Sequence, residues 1–150
     1  MVALQEAGRA DLPVLESYLR AMTAETEAAT GDALPVNMAA ITASFDEGVH
    51  WFLFTDEAGT HFGCCHMQSV FNYWRAEKRF YLGGLYFTPD HRGRGYLSHI
   101  VAALRAWAAE HGGVQIYCHI HAKNALSTRA FAKAGFALVD YQLHVLHWGD

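Results

Sequence analysis

The segment Pro89-Asp90-His91-Arg92-Gly93-Arg94-Gly95-Tyr96-Leu97-Ser98 constrains this chain more than any other. It joins an apolar, strand-like run over residues 80–87 to an amphipathic helical run that begins near Leu97. Glycine lets a backbone take angles that other residues resist and lets a ligand approach closely. The first turn of a helix leaves N–H groups unpaired at the positive end of the macrodipole. A strand that turns through Arg-Gly-Arg-Gly into a helix therefore forms an anion site from main chain alone, with the arginines adding charge-assisted contacts. The expected ligand carries a phosphate or pyrophosphate. The segment lacks the Gly-Lys-Ser/Thr of a P-loop, and Ser98 stands where a dinucleotide fingerprint needs its third glycine. The alternative is a tight surface turn whose arginines face water.

Hydrophobic periodicity orders the rest of the chain. Residues 2–6 read as a first strand, and Asp11-Leu12-Pro13 opens a helix with proline in its first turn. Leu12, Leu15, Leu19, Met22 and Thr26 recur at helical spacing, and Met38, Ile41 and Phe45 mark a second, short helix. Residues 49–55 are almost continuously apolar, as a strand buried on both faces would be. Asp56-Glu57-Ala58-Gly59 signals a hairpin returning through residues 61–70, and residues 72–78 read as a loop. Leu97, Ile100, Val101, Leu104, Trp107 and Ala108 form one helical stripe. A strand over residues 114–120, a last helix striped by Leu126, Ala130 and Ala134, and terminal strand material over residues 137–148 complete the order. That order, βααβββαβαβ(β), predicts one α+β domain over residues 1–150.

Downstream of the glycine turn stand Asn124, Ser127, Phe131, Lys133, Gly135 and Phe136. With the strand, the Arg-Gly-x-Gly turn, the helix and the next strand before them, the region from Phe80 to about Asp140 resembles the GNAT superfamily of N-acetyltransferases. The resemblance implies a mixed, mostly antiparallel sheet of six to seven strands flanked by about four helices, with acetyl-CoA as cosubstrate. It implies that main-chain groups of Leu85, Tyr86 and Phe87 pair with the pantetheine arm. The segment Arg92, Gly93, Arg94, Gly95, Tyr96, Leu97 and Ser98 would hold the pyrophosphate, and Asn124 and Phe131 would flank the far side of the arm. It implies transfer of an acetyl group to the primary amine of a small metabolite by direct attack in a ternary complex. Acetylation of a protein or peptide amine, a non-catalytic acyl-CoA-binding module and a domain that binds no coenzyme are the rival readings. Members of the family are often dimers, and the terminal strands would be a natural contact.

Composition narrows the class. The chain has 150 residues, 52% of them hydrophobic, enough for one full core. A formal net charge of -4 argues against a nucleic-acid binder, whose affinity comes largely from basic surface. The mild acidity suits a cationic substrate such as an amine, and equally suits plain solubility. No apolar run approaches the length of a membrane span. The three cysteines, Cys64, Cys65 and Cys118, read as reduced and buried, the first two pointing to opposite faces of a strand. A cytoplasmic location is expected, with no metal: His119 and His121 share a strand face but lack flanking ligands at a zinc spacing.

The chain departs from the family pattern in two places that bear on chemistry. Phe131 stands where many members carry a tyrosine that protonates the leaving sulfur, so thiolate must leave unaided or another group must serve. Gly83 and Gly84 stand where many polyamine-type members carry acidic residues. Paired glycines in a strand mark either a close approach or a bulge. For a substitute base the candidate is His119, with His121 and Tyr117 on the same strand, since imidazole has a suitable pKa at neutral pH. Glu25 and Glu27 at the end of the first helix are candidate carboxylates near an amine, Glu25 foremost. Tyr73 and Trp74 in the loop before the central strand are candidates for shaping the acceptor pocket.

Overall fold

A computed structural model describes residues 1–149. The chain forms β1 (Ala3–Glu6), a 3-10 turn (Arg9–Asp11), α1 (Leu12–Thr30), α2 (Met38–Ser44), β2 (Val49–Thr55), β3 (His61–Asn72) and β4 (Glu77–Phe87). A second 3-10 turn (Pro89–His91), α3 (Tyr96–Glu110), β5 (Gly113–Tyr117) and α4 (Ala125–Lys133) follow. The five strands make one sheet in the order β1-β2-β3-β4-β5. β1 to β4 pair antiparallel, and β4 pairs with β5 in parallel. This is the mixed, mostly antiparallel α+β class the sequence predicts, with four helices.

The apolar run of β2 divides between two cores. Phe52 and Phe54 pack with Phe62, Cys65, Met67, Phe80, Leu82 and the α3 residues Ile100 and Leu104. Trp51 and Leu53 face the other way, onto Leu15, Tyr18 and Leu19 of α1. The alternation of side chains along a strand produces this split, and it places Cys64 and Cys65 on opposite faces, as expected. Local chemistry sets the helix ends. Gly31 closes α1 at φ 81°, and Asn37 caps α2 by accepting from the Ala40 N–H at 3.0 Å. In the hairpin turn, Asp56 Oδ1 accepts from the N–H groups of Ala58 and Thr60, each at 3.0 Å.

Two expectations need correction. The sheet has five strands, not six to seven, because among the described residues no strand follows β5. The expected terminal strand over residues 137–148 is not paired: Leu138, Val139, Tyr141, Leu143, Val145, Leu146 and Trp148 are exposed. A period-two pattern marks a face to bury but names no partner strand, and here nothing pairs with the segment. The expected loop over residues 72–78 is shorter, since β3 and β4 run on until Asn72 opposes Glu77.

Candidate active site

The parallel β4–β5 ladder runs from Lys78↔Gly113 to Tyr81↔Tyr117 and stops there. β4 continues to Phe87. The edge of Leu82 to Phe87 that would face β5 is therefore left without a strand partner, and Leu85, Tyr86 and Phe87 lie on this stretch. Opening a ladder exposes backbone donors and acceptors that call for a partner. Beyond Phe87 the chain enters the glycine turn. Gly93 and Gly95 have φ of 71° and 75°, a region where an L side chain is strained. Gly95 sits at the N-cap of α3, and no side chain caps that helix. The free N–H groups of the first turn, at Tyr96, Leu97 and Ser98, thus face outward beside Gly93 and exposed Arg94.

A brace fixes this turn to the β2–β3 hairpin. Thr88 Oγ1 and His91 Nδ1 lie 2.8 Å apart, and His91 Nε2 lies 3.0 Å from Asp56 Oδ2. The His91 ring stacks on Phe62 at 4.6 Å. The hydrogen bond to His91, then the one from Thr60, hold the Asp56 carboxyl below its ordinary value. Arg92 forms a second brace. Its Nε donates to the Phe87 carbonyl at 2.9 Å, its Nη2 grips both Glu25 oxygens at 2.9 and 3.0 Å, and its guanidinium lies over the Tyr86 ring. The structure thus brings Glu25 and Arg92 onto each other.

Asn124 caps α4, its Oδ1 accepting from Ser127 N–H at 3.1 Å. Phe131 is buried in the α3-side core and meets Phe136 edge-on at 5.1 Å. His119 lies beyond the end of β5, its ring 5.2 Å from that of Tyr81. The Tyr73 and Trp74 rings lie 5.0 Å apart, tilted to each other, and are exposed in the β3–β4 turn. That turn is at the end of β4 opposite the glycine turn, so they are not gathered with the other candidates. His121 Nε2 lies 3.1 Å from Asp32 Oδ2. Among the described residues no three His, Cys, Asp or Glu side chains gather as a metal site.

Sequence reasoning misses the residue at the centre of the α1-side face. His66 on β3 opposes Gly83 across the sheet. A Cβ on Gly83 would stand 2.6 Å from His66 Nε2, and one on Gly84 would stand 3.0 Å from its Cδ2. The glycine pair is both a bulge, where the β3–β4 register shifts, and the space the imidazole occupies. The His66 ring meets Trp51 edge-on at 4.9 Å on one side and Tyr81 at 5.8 Å on the other. With Tyr81 meeting Tyr117 at 5.6 Å, one row of rings crosses β2, β3, β4 and β5. Burial pushes His66 down to about 4, so it is neutral at pH 7. Its Nδ1 is buried without a hydrogen-bond partner. The available signal was a lone histidine between Cys65 and Met67 in an apolar strand.

Next to His66 and Gly84, a cavity of about 360 Å³ opens between α1, α2 and the sheet. Leu19, Met22, Leu34, Pro35, Val36, Ile41 and Trp51 supply its apolar walls. A second groove on the same face, lined by Gln68, Ser69, Tyr81, Tyr117 and His119, lies beyond Tyr81.

A family model for the acetyltransferase (GNAT) family matches residues 14–136. The chain belongs to the GNAT family of acetyltransferases. Solved structures agree in fold. A possible acetyltransferase from Clostridium difficile superposes with a TM-score of 0.81 at 13% identity, over 100% of this chain and 99% of its own. A predicted acetyltransferase from Clostridium acetobutylicum, solved with acetyl-CoA, gives 0.76 at 16% identity, covering 97% and 96%. An aminoglycoside acetyltransferase from an uncultured soil sample, in complex with sisomicin, gives 0.77 at 12% identity, covering 99% and 97%. Among curated proteins no sequence match was found.

In this GNAT protein the cysteines are poor nucleophiles. Burial raises Cys64 to about 12 and lifts Cys65 well above the ordinary thiol range, and attack requires thiolate. Cys64 Sγ lies instead 3.5 Å from the Gly84 carbonyl. Among the described residues no helix is long and apolar enough to cross a membrane.

Proposed function

We propose that this single GNAT domain is a cytoplasmic N-acetyltransferase that moves an acetyl group from acetyl-CoA to the primary amine of a small metabolite. The observation that carries the reading is the open edge of β4 running from Tyr81 to Phe87 into the uncapped N-terminus of α3. An extended amide arm fits the unpaired backbone of Leu85, Tyr86 and Phe87. A pyrophosphate fits the N–H groups from Gly93 to Ser98, with Arg94 adding charge. Asn124, at the N-cap of α4, and Phe131, in its last turn, are the residues proposed to flank the far side of the arm.

The coenzyme supplies an activated acetyl thioester. The amine nitrogen forms the new C–N bond, and the C–S bond breaks with its electron pair remaining on sulfur. One proton leaves nitrogen for solvent or the departing thiolate, whose pKa near 8.5 makes unaided departure feasible. Two observations support direct attack over a covalent acyl-cysteine: the buried, protonated thiols and an acceptor-sized cavity beside β4. His119, on the same sheet face in the groove beyond Tyr81, is the candidate base for an amine seated in that groove.

The core position of Phe131 and the lack of a carboxylate at Gly83 and Gly84 support a second reading, an acyl-CoA-binding module. One experiment separates them. Acetyl-CoA raises the unfolding temperature under both readings. Amine-dependent release of coenzyme A thiol occurs only if the protein is an acetyltransferase. A homodimer is also proposed, since the exposed apolar residues 138–148 offer a surface that a second copy would cover. Light-scattering mass of the intact chain tests it.

A further inference from the structure

We infer that the acceptor is a primary amine on an aryl or branched-alkyl body, bound uncharged in the α1–α2 cavity with its nitrogen beside the imidazole of His66. The inference rests on the acetyltransferase reading above and adds the substrate class to it.

The lining argues the class. Leu19 and Met22 of α1, Val36 of the connecting loop, Ile41 of α2 and Trp51 of β2 line a mostly apolar cleft. Its polar lining groups, Thr23, Asn37 and His66, carry no carboxylate and no fixed cation. Asn37 Oδ1 is already engaged as a helix cap. The nearby carboxylate of α1, Glu25, is gripped by Arg92. An ammonium seated against these walls would give up part of its hydration and meet no counter-charge, which is unfavourable. A free amine loses far less, and its apolar body gains from leaving water. Polyamines and amino sugars offer the opposite balance.

The glycine pair argues the position. The imidazole fills the space that side chains at Gly83 and Gly84 would take. It therefore lies against β4 just where that strand has left β5, the stretch along which the thioester is proposed to run. Because burial keeps the ring neutral, it can exchange a hydrogen bond with an amine without fixing a charge. The competing seat is the polar groove of Gln68, Ser69, Tyr117 and His119 beyond Tyr81.

The test uses the full chain with acetyl-CoA and four probes: phenethylamine, isoamylamine, putrescine and glucosamine. Thiol release should give the first two a kcat/KM at least about tenfold above the last two, the scale on which an apolar pocket discriminates. Ala40→Trp, at an exposed position on the cavity wall, should cut turnover of the apolar pair about tenfold. Val70→Trp, exposed in the polar groove on the same sheet face as Gln68, should leave it unchanged. Both variants should keep the acetyl-CoA thermal upshift. Preference for putrescine or glucosamine overturns the inference while leaving the acetyltransferase reading intact. So does loss of turnover in Val70→Trp rather than Ala40→Trp, or an upshift with no turnover of either apolar probe. Absence of any upshift in the parent overturns both.

Discussion

Two pairs of glycines stand at the two ends of the candidate site; Gly84, like Gly93 and Gly95, takes a left-handed φ, at 60°, and Gly83 does not. At Gly93 and Gly95 a Cβ would meet nothing within 4 Å, yet φ is 71° and 75°. There the residue is chosen for its backbone. At Gly83 a Cβ would stand 2.6 Å from His66 Nε2, a side chain on another strand. There it is chosen for room. The proposed coenzyme side of the molecule is thus written in contiguous residues, whereas the proposed acceptor side is written in fits between β2, β3, β4 and α1. Substitutions on the first side should act on coenzyme binding alone, and substitutions on the second should act through the imidazole.

The largest effect is expected from His66 itself. Its pKa falls from 6.5 to about 4 on folding because burial disfavours the charged ring. Between those values the unfolded chain binds the extra proton and the folded chain does not, so stability falls as pH drops from about 6.5 toward 4. At about 1.4 kcal/mol per unit the full loss is on the order of 3 kcal/mol. Urea denaturation at pH 7.0 and 4.5 measures it. In His66→Leu most of that slope should vanish; an unchanged slope would place the titrating group elsewhere.

On the coenzyme side, Arg94→Glu with Gly95→Asp puts negative charge beside the proposed pyrophosphate. The parent, with acetyl-CoA at a hundred times its dissociation constant, should gain about 2.7 kcal/mol. The double variant should fold and gain nothing. A full upshift in the folded variant would break the assignment of the anion site to the turn.

The glycines can be set directly against each other. Gly83→Ala forces the buried ring to shift and should cost about 1–3 kcal/mol, as overpacking does. Amine turnover should fall while the acetyl-CoA upshift persists. Gly93→Ala meets open space and should cost only the left-handed backbone strain, about 1–2 kcal/mol, while leaving amine KM alone. If both variants perturb amine KM equally, the two sides are not separable as described.

This difference explains what the sequence made legible. The strand, Arg-Gly-Arg-Gly turn and helix are local patterns, and each is found where its residues predict it. The α+β class follows from the order of periodic runs in the same way. Gly83 and Gly84 could be read as a bulge or as a clearance, but nothing near them in the chain says for what. The answer is a histidine that strand register places opposite them. The α1–α2 cavity was invisible for a related reason, since Leu19, Ile41 and Trp51 read only as core residues until three elements meet. The tail failed differently. Val139, Tyr141, Leu143 and Val145 alternate as a strand should, but alternation along one segment carries no information about which edge it joins.

The smallest expected effect lies at the seam between the two sides. Arg92 ties the Phe87 carbonyl, at the end of β4, to Glu25 of α1, whose residues Leu19, Met22 and Thr23 line the proposed acceptor cavity. Both side chains are nearly half exposed, at 42% and 49%. A pair of that kind contributes below about 1 kcal/mol, and less in salt. Glu25→Gln should therefore shift the unfolding midpoint only slightly at low ionic strength and hardly at all in 0.5 M salt. If Arg92 acts as a brace between the sides, the kcat/KM for amine should change more than the acetyl-CoA upshift, because α1 moves against the sheet while Arg92 stays on the Phe87 carbonyl. Equal changes in both would mean that the ion pair orders the glycine turn itself, and Arg92 would then belong wholly to the coenzyme side.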